Sequence, residues 1–359
     1  MSFQRSLVRR YVRAMSSQLP VERSAGSAEL VHAFPDQMPT GVTVTDDGRI
    51  FVCYPRWGDP VEFTVAELRD GEEVAYPDAE FNSFDDQRPA DCLVSVQSVV
   101  VDPAGRLWLL DTGSTEFGPV IPGGPKLVGV DLESDEVVQT IRFPADVALE
   151  TTYLNDIRFD LRRGEGGAAF ITDSSLTGPS GIIVVDLGSG RSWRKLHDHP
   201  STRAVDGFVA IIEGRPLAGI SVSADGIAIS ADGERLYYCP LSSRRLYSAS
   251  VEALYDEQAS DDAVAATVED HGEKGASDGL ESDADGRIYA SNYEQGAILV
   301  RQTPRPQQQI REAASADGDC PLAPQLPGPR SDRSDRVRAL VRVRTEHDHH
   351  RRRPPHRPL

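Results

Sequence analysis

A strand–turn–strand pattern recurs five times along the chain, and it limits the folds that the sequence can adopt. Each copy has a first strand in which apolar residues alternate with small or polar ones, a turn, and a second β-rich run. In the clear copies the turn ends in Asp-Gly or Ala-Gly, which supplies the positive-φ position that a hairpin needs. Four clear copies begin at Thr40, Gln97, Asp225 and Asp278, and a looser copy with a longer turn begins at Asn155.

The spacing of the copies predicts the architecture. Successive copies start 57, 58, 70 and 53 residues apart, which is enough chain for four strands and their loops. Further strands are expected between the copies, at residues 125–132, 181–187 and 245–250. Four-stranded units repeated in this way are typical of a β-propeller. We therefore predict an all-β propeller of which about five blades are readable.

The shared register of the copies predicts a candidate site. If the first strand of each unit is the innermost one, the leading residues form a polar ring at one end of the central channel: Thr40, Gln97, Asn155, Asp225 and Asp278. The oxygens of Asn155, Asp225 and Asp278 suit one hard divalent cation, with calcium as the first choice. The same ring could hydrogen-bond a polar small molecule, or its residues could simply cap strand ends.

The charge of the chain is unevenly distributed, and this excludes some partners. The net charge is −18, but the residues from Gln302 onward carry 12 Arg against 7 acidic residues, so this region is net +5 and the body is net −23. An acidic body argues against nucleic-acid binding, which needs clustered basic residues. No apolar run is long enough to predict a membrane span. The three lysines against 35 arginines indicate a GC-rich genome and fit a salt-loving host.

Composition also predicts the domain boundaries. Residues 1–27 form a basic N-terminal extension without the apolar segment of a secretory signal, which favours a cytoplasmic location. The propeller is expected to cover residues 28–301. Residues 302–359 are rich in Arg and Pro, a composition typical of disorder. The abrupt change indicates a reading-frame shift that replaced the last blade; a native basic tail is the alternative.

Other chemistry-bearing residues give weaker signals. Cys53, Cys92, Cys239 and Cys320 show no metal-ligand spacing, so we expect free thiols, buried in the fold. No nucleophile–base motif or phosphate-binding loop occurs. Trp57, Trp108 and Tyr293 could line the channel or belong to the core.

Several segments together resemble the major royal jelly protein/yellow family. Phe51-Val-Cys-Tyr-Pro-Arg-Trp57 followed by Tyr76-Pro77 looks like the opening of these proteins, and residues 101–113 resemble their most distinctive segment. Residues 170–174, 192–194, 226–230 and 236–243 match in order. The resemblance covers about residues 40–300 and would make this chain a bacterial or archaeal-type member. A more distant similarity links Asn155-Asp156, Asp225-Gly-Ile and Asp278-Gly-Leu to gluconolactonase/senescence-marker propellers.

The resemblance implies a six-bladed propeller whose last blade is missing or replaced here. It also implies functions: some family members look like dopachrome-converting enzymes, and others bind biogenic amines in the channel. In insect members a cysteine at the position of Ala104 pairs with one like Cys92, so Ala104 removes that partner. In the gluconolactonase-type propellers a metal-binding glutamate stands at the position of Thr40, and its absence weakens a metal site.

Three functions follow as expectations. The first is a propeller that binds a small polar or aromatic molecule in its channel. The second is an enzyme that depends on a divalent cation at Asn155, Asp225 and Asp278, either a lactone hydrolase or a dopachrome-type isomerase. The third is a protein-interaction scaffold. The sequence favours the first, because Thr40 replaces a metal carboxylate and no general base is evident.

Overall fold

The computed structural model describes residues 27–302, 311–313 and 338–344, and these residues form a β-propeller. Strand β1 (Ser27–Phe34) precedes five four-stranded antiparallel sheets, the blades, which follow one another along the chain. Within each blade the four strands pair in sequence order. This arrangement confirms the predicted all-β propeller with five blades. None of the helices in these ranges is long and apolar enough to cross a membrane.

Blades 1 to 3 occupy the first half of the fold. Blade 1 consists of β2 (Gly41–Val44), β3 (Ile50–Cys53), β4 (Val65–Arg69) and β5 (Glu72–Ala75), and a short helix, α1 (Ala79–Asn82), follows it. Blade 2 consists of β6 (Val96–Val101), β7 (Arg106–Asp111), β8 (Lys126–Asp131) and β9 (Glu136–Arg142). Blade 3 consists of β10 (Leu154–Asp160), β11 (Ala168–Asp173), β12 (Gly181–Asp186) and β13 (Ser192–Lys195).

A separate hairpin precedes the last two blades. It is formed by β14 (Val209–Ile212) and β15 (Arg215–Ala218). Blade 4 contains β16 (Ala224–Ile229), β17 (Arg235–Pro240), β18 (Arg245–Ser250) and β19 (Glu269–Glu273), with helices α2 (Val251–Tyr255) and α3 (Asp261–Ala265) between its last two strands. Blade 5 contains β20 (Ser277–Ser282), β21 (Arg287–Asn292), β22 (Ala297–Gln302) and β23 (Arg311–Ala313).

The first and last described strands pair with each other. Strand β24 (Arg338–Arg344) lies antiparallel to β1 in a two-stranded sheet. Phe34 at the end of β1 packs against Tyr54 of blade 1, and His32 lies 3.1 Å from Glu73. Thus two segments of the predicted tail, β23 and β24, form strands. The other residues of 302–359 after Gln302, including Cys320, and residues 1–26 lie outside the described ranges, so the predicted domain boundaries remain predictions.

The recurring turn has a clear physical cause. Five residues after each predicted ring position, a side-chain oxygen accepts a hydrogen bond from the backbone N–H that begins the next strand or closes the turn. The accepting residues are Thr45, Asp102, Asp160, Ser230 and Asp283. Such local bonds favour turns over continued strand. Glycine follows at a left-handed position, as at Gly105 with φ 80° and Gly286 with φ 77°.

The core lies between neighbouring blades. Trp108 of blade 2 stacks on Phe159 of blade 3 with ring centroids 5.4 Å apart, and its indole N–H donates to Asp102. The second strands of blades 2 to 4 are buried on both faces, whereas β21 of blade 5 is buried on alternate residues only. The second strand of blade 1, β3, is also buried on successive residues, and Phe34 of β1 packs there with Val52 and Tyr54. Blade 5 is therefore the blade whose second strand is covered least.

All three lysines of the chain are buried. Lys126 donates to the carboxylate of Asp111 at 2.8 Å and to two backbone carbonyls. Lys195 donates to the carbonyls of Glu257 and Ala259, and Lys274 donates to Gly275 and Ser277. The described cysteines, Cys53, Cys92 and Cys239, are also buried and free, which confirms the expectation for these three.

Candidate functional site

The inner strands of blades 2 to 5 carry four of the predicted ring residues, Thr40 directly precedes the inner strand of blade 1, and successive inner strands pack against one another. Hydrogen bonds join neighbouring blades at this level. Ser98 of β6 donates to Asp156 of β10 at 3.0 Å, and the thiol of Cys53, in the second strand of blade 1, lies 3.1 Å from the carbonyl of Gln97. Thr172 donates to the carbonyl of Asp225 at 2.7 Å. These bonds fix the radial positions of the residues that face the channel.

A β-bulge falls at the ring position in four of the five blades. The pairing register shifts between Val96 and Ser98, Leu154 and Ile157, Ala224 and Ile227, and Ser277 and Leu280. The residues within these shifts include Gln97, Asn155, Asp225 and Asp278. Bulges redirect side chains and are enriched beside binding sites. Blade 1 lacks the bulge, and Thr40 directly precedes its first strand.

Gly226 allows blades 4 and 5 to approach closely. A Cβ at this position would lie 2.3 Å from the carbonyl oxygen of Asp278, so only glycine fits without movement of the backbone. The close approach places the carboxyl groups of Asp225 and Asp278 against each other, and the two share a hydrogen bond. Two acidic residues predicted from sequence to share a ring are thus in direct contact.

Burial and mutual repulsion change the acidity of this pair. Asp225 is 5% exposed. Burial, reinforced by the charge of Asp278, holds the pKa of Asp225 well above its usual range. Burial also raises the pKa of Asp278 to about 7, with a contribution from the negative charge of Asp156. At neutral pH the pair therefore holds a proton, or a cation must replace that proton.

Asn155 lies on the inner strand of blade 3, β10, which packs against the strand β16 that carries Asp225. It is 7% exposed, and no described residue hydrogen-bonds its side-chain amide. An amide buried to this degree normally has a hydrogen-bond partner. The next residue, Asp156, is occupied by contrast, since its carboxylate accepts from Ser98 and from Arg158. Asn155 can therefore offer both a donor and an acceptor to a molecule in the channel.

Arg158 spans the channel from blade 3 to blade 5. Its guanidinium donates to Asp156 at 2.8 Å and to the carbonyl of Leu280 at 2.7 Å, and it lies 3.2 Å from Glu281. The Nε atom is buried and has no hydrogen-bond partner among the residues that the structure describes. Sequence analysis missed this residue, because nothing local shows that a side chain of one blade reaches past its neighbour.

An aromatic group contacts the ring at Gln97. The Tyr153 hydroxyl accepts from the indole N–H of Trp57 at 2.5 Å and donates to the Gln97 side chain at 2.8 Å. Phe117 stacks on Trp57 with ring centroids 5.0 Å apart. Burial raises the pKa of Tyr153, and the charge of Asp225 contributes in the same direction.

The other predicted residues occupy different environments. The Thr40 hydroxyl lies 3.3 Å from the carbonyl of Gln97 and 3.6 Å from the Cys53 thiol, so it bonds within the wall. Tyr293 donates to the carbonyl of Leu241, and the charges of Asp225 and Asp278 contribute to its raised pKa, after burial and Glu294. The Tyr293 ring packs with Phe208 and Ala276, whereas Trp108 belongs to the core between blades 2 and 3.

The donor set permits a cation but does not form a complete cage. Within the described ranges, no group of three or more His, Cys, Asp or Glu side chains is placed to hold a metal ion. Asn155, Asp225 and Asp278 together offer one amide and two carboxyl groups, and calcium takes six to eight oxygens. A cation at this point would need further oxygens from a bound molecule or water.

Comparisons with known proteins agree with the fold. The sequence profile described as major royal jelly protein matches residues 94–325. The chain is 30% identical over 245 residues to protein yellow of Drosophila yakuba, covering 63% of this chain and 43% of that protein. It is 29% identical over 263 residues to protein yellow of Drosophila subobscura, covering 67% and 44%. The match thus spans less than half the length of these relatives.

Solved propellers are similar at lower identity. The calcium-binding protein regucalcin from Agrobacterium tumefaciens aligns with a TM-score of 0.48 and 16% identity, covering 82% of this chain and 80% of that one. A structure described as a gluconolactonase aligns with a TM-score of 0.44 and 12% identity, covering 81% and 82%. The profile match covers more than half of this chain, and on that evidence the chain belongs to the major royal jelly protein family.

Proposed function

We propose that this propeller binds a small polar or aromatic molecule at the ring end of its channel, through a positively charged group that meets Asp225 and Asp278. The observation that carries the proposal is the buried pair of carboxyl groups, Asp225 and Asp278. Two carboxyl groups in contact repel each other unless a proton or a cation lies between them. A ligand ammonium group could replace the shared proton and hydrogen-bond both carboxylates.

The neighbouring residues support a small organic ligand. Asn155 offers an amide oxygen and an amide N–H on the neighbouring inner strand. Trp57 and Tyr153 form an aromatic group that contacts Gln97. Concave sites that combine apolar or aromatic walls with a few polar groups are typical of small-molecule binding. The proposed roles are charge recognition by Asp225 and Asp278, orientation by Asn155 and shape recognition by the aromatic residues.

A divalent cation is the second candidate, because the same pair and amide are hard oxygen ligands. Calcium held by Asn155, Asp225 and Asp278 would polarise a bound carbonyl group, as a lactone hydrolase or a dopachrome-type isomerase requires. Thr40 adds no charge to such a site, because its side chain is neutral. Its hydroxyl donates a hydrogen bond to the carbonyl of Gln97.

Thermal unfolding separates the two candidates. The midpoint is measured with 2-phenylethylamine, with calcium, and with chelator, for the wild type, Asn155→Ala and Asp278→Asn. A ligand at about 100 times its Kd adds roughly 2.7 kcal/mol to the free energy of unfolding. We expect the amine to raise the midpoint of the wild type and not that of Asp278→Asn.

Glu133→Gln, on an exposed turn of blade 2, is the matched control and should behave like the wild type. A midpoint that rises with calcium and falls with chelator would favour the cation-dependent enzyme instead. If neither amine nor calcium shifts the midpoint of the wild type, the carboxyl pair is not a ligand site and the proposal is wrong.

A further inference from the structure

The hairpin β14–β15 packs on the propeller through its first strand. Ala210 of β14 and the preceding Phe208 are buried, whereas every residue of β15 is exposed. The hairpin shares an apolar cluster with blade 5, which is formed by Phe208, Ala210, Ile212, Ala276 and Tyr293. The hairpin is therefore a separate element that rests on blade 5 with one side and meets solvent with the other.

This cluster lies at the same end of blades 4 and 5 as the carboxyl pair. Ala276 directly precedes β20 and stands two residues before Asp278. Tyr293 directly follows β21, whose last residue pairs with the first residue of β20. The Tyr293 hydroxyl donates at 2.9 Å to the carbonyl of Leu241, which follows β17 at the corresponding end of blade 4. The hairpin therefore rests at the ring end of the channel.

Both ends of the hairpin segment are attached to Ser242, which is fully buried. The Ser242 carbonyl accepts from the Val205 N–H at 2.9 Å, and its hydroxyl accepts from the Val222 N–H at 3.0 Å. Between these two attachments, Gly207 and Gly219 flank the hairpin with φ of 69° and 86°. A Cβ at either glycine would meet no atom of the described residues within 4 Å. The hairpin is thus joined to a fixed base by two glycines whose backbone is free to rotate.

An ion pair fastens the hairpin in this position. The carboxylate of Glu294, after β21, accepts from the Ile211 N–H at 2.9 Å and from the Arg244 guanidinium at 2.6 Å. The same guanidinium donates to the carbonyl of Val209 at 3.0 Å and lies over the Phe208 ring, 4.8 Å from its centroid. Arg244 precedes β18 of blade 4 and Glu294 belongs to blade 5. The pair therefore holds β14 from two neighbouring blades.

We propose that the hairpin β14–β15 is a lid on the ring end of the channel, and that it swings about Gly207 and Gly219 to admit molecules to the carboxyl pair. The inference goes beyond the proposed function, since it concerns the entrance and holds for an organic ligand and a cation alike. Arg244 is 36% exposed, and partly exposed ion pairs contribute little to stability, so the lid opens without unfolding of the blades. Lids are drawn from the less stable parts of a fold in this way.

Hydrogen–deuterium exchange at the Ile211 amide measures the motion, because this N–H donates to Glu294 and loses its acceptor when the lid opens. Arg244→Ala removes the bond to Val209 and the charge that holds Glu294. The Ile211 amide should therefore exchange roughly tenfold faster than in the wild type. Arg245→Ala is the matched control, since the neighbouring Arg245 pairs with Asp270 of β19, and its exchange at Ile211 should equal that of the wild type.

Carbodiimide coupling of glycinamide to carboxyl groups, read by mass spectrometry, measures access through the entrance. The coupling rate at Asp225 and Asp278 is divided by the rate at Asp173, which is fully buried in blade 3 and reports general unfolding. This ratio should rise roughly tenfold in Arg244→Ala, in parallel with exchange at Ile211, and stay unchanged in Arg245→Ala. A rise in only one of the two quantities, or in neither, overturns the inference. No ligand is used, so the proposed function stands or fails separately.

Discussion

The shared proton of Asp225 and Asp278 predicts an unusual dependence of stability on pH. Because the folded state raises the pKa of Asp278 from 3.8 to about 7, it binds a proton more tightly than the unfolded chain does. The contribution of this group to stability is complete below about pH 4 and is lost as the pH rises through 7. A tenfold change in proton affinity is worth about 1.4 kcal/mol, so the full effect is at most about 4 kcal/mol.

Asp278→Asn removes the titrating group and should flatten this dependence. The free energy of unfolding is measured by urea denaturation from pH 5 to pH 8 at constant ionic strength. For the wild type we expect a fall of about 2–3 kcal/mol over this interval, and for Asp278→Asn a clearly smaller fall. Asp47→Asn is the control, because its hydrogen bond with Thr45 lowers the pKa of Asp47 and this group finishes titrating below the interval. Equal slopes for the wild type and Asp278→Asn would refute the reasoning.

Three further changes test the packing described above. Gly226→Ala forces a Cβ against the carbonyl of Asp278, so it should cost about 1–3 kcal/mol of stability in urea denaturation; a neutral effect would show that the two blades are not in tight contact. Lys126→Ala leaves the buried carboxylate of Asp111 without its cation and should cost about 3–5 kcal/mol of stability. Almost no change in stability would show that this ion pair is exposed to solvent. The net charge of −23 on residues 1–301 predicts that the unfolding midpoint rises with potassium chloride, since salt screens self-repulsion; a midpoint independent of salt would contradict this.

Much of the fold could be predicted because its information is local. The oxygen acceptors at Asp102 and Asp283 and the glycines at 105 and 286 determine each turn within a few residues. Repetition of that turn gives the register, and the register identifies the ring residues. The proximity of Asp225 and Asp278 could therefore be predicted from the sequence. The bulges that direct their side chains could not.

The rest of the site depends on contacts between distant segments. Arg158 bonds to Leu280, which is 122 residues away, and Trp57 bonds to Tyr153, which is 96 residues away. Phe117 belongs to a loop that has no repeat counterpart, so the register says nothing about its position. The same limit explains Trp108: the continuous apolar run of β7 indicates that it is buried, but not that it faces blade 3 instead of the channel.

The burial of Lys126, Lys195 and Lys274 makes amine chemistry a direct measure of opening. A folded molecule presents no lysine side chain to an acylating reagent, whereas every molecule that opens presents one. The three ammonium groups lie in different places. Lys126 is in blade 2, Lys195 contacts the segment between the two helices of blade 4, and Lys274 lies just before blade 5. The rates at which the three sites become labelled, read by mass spectrometry, would therefore show which blade leaves the propeller first.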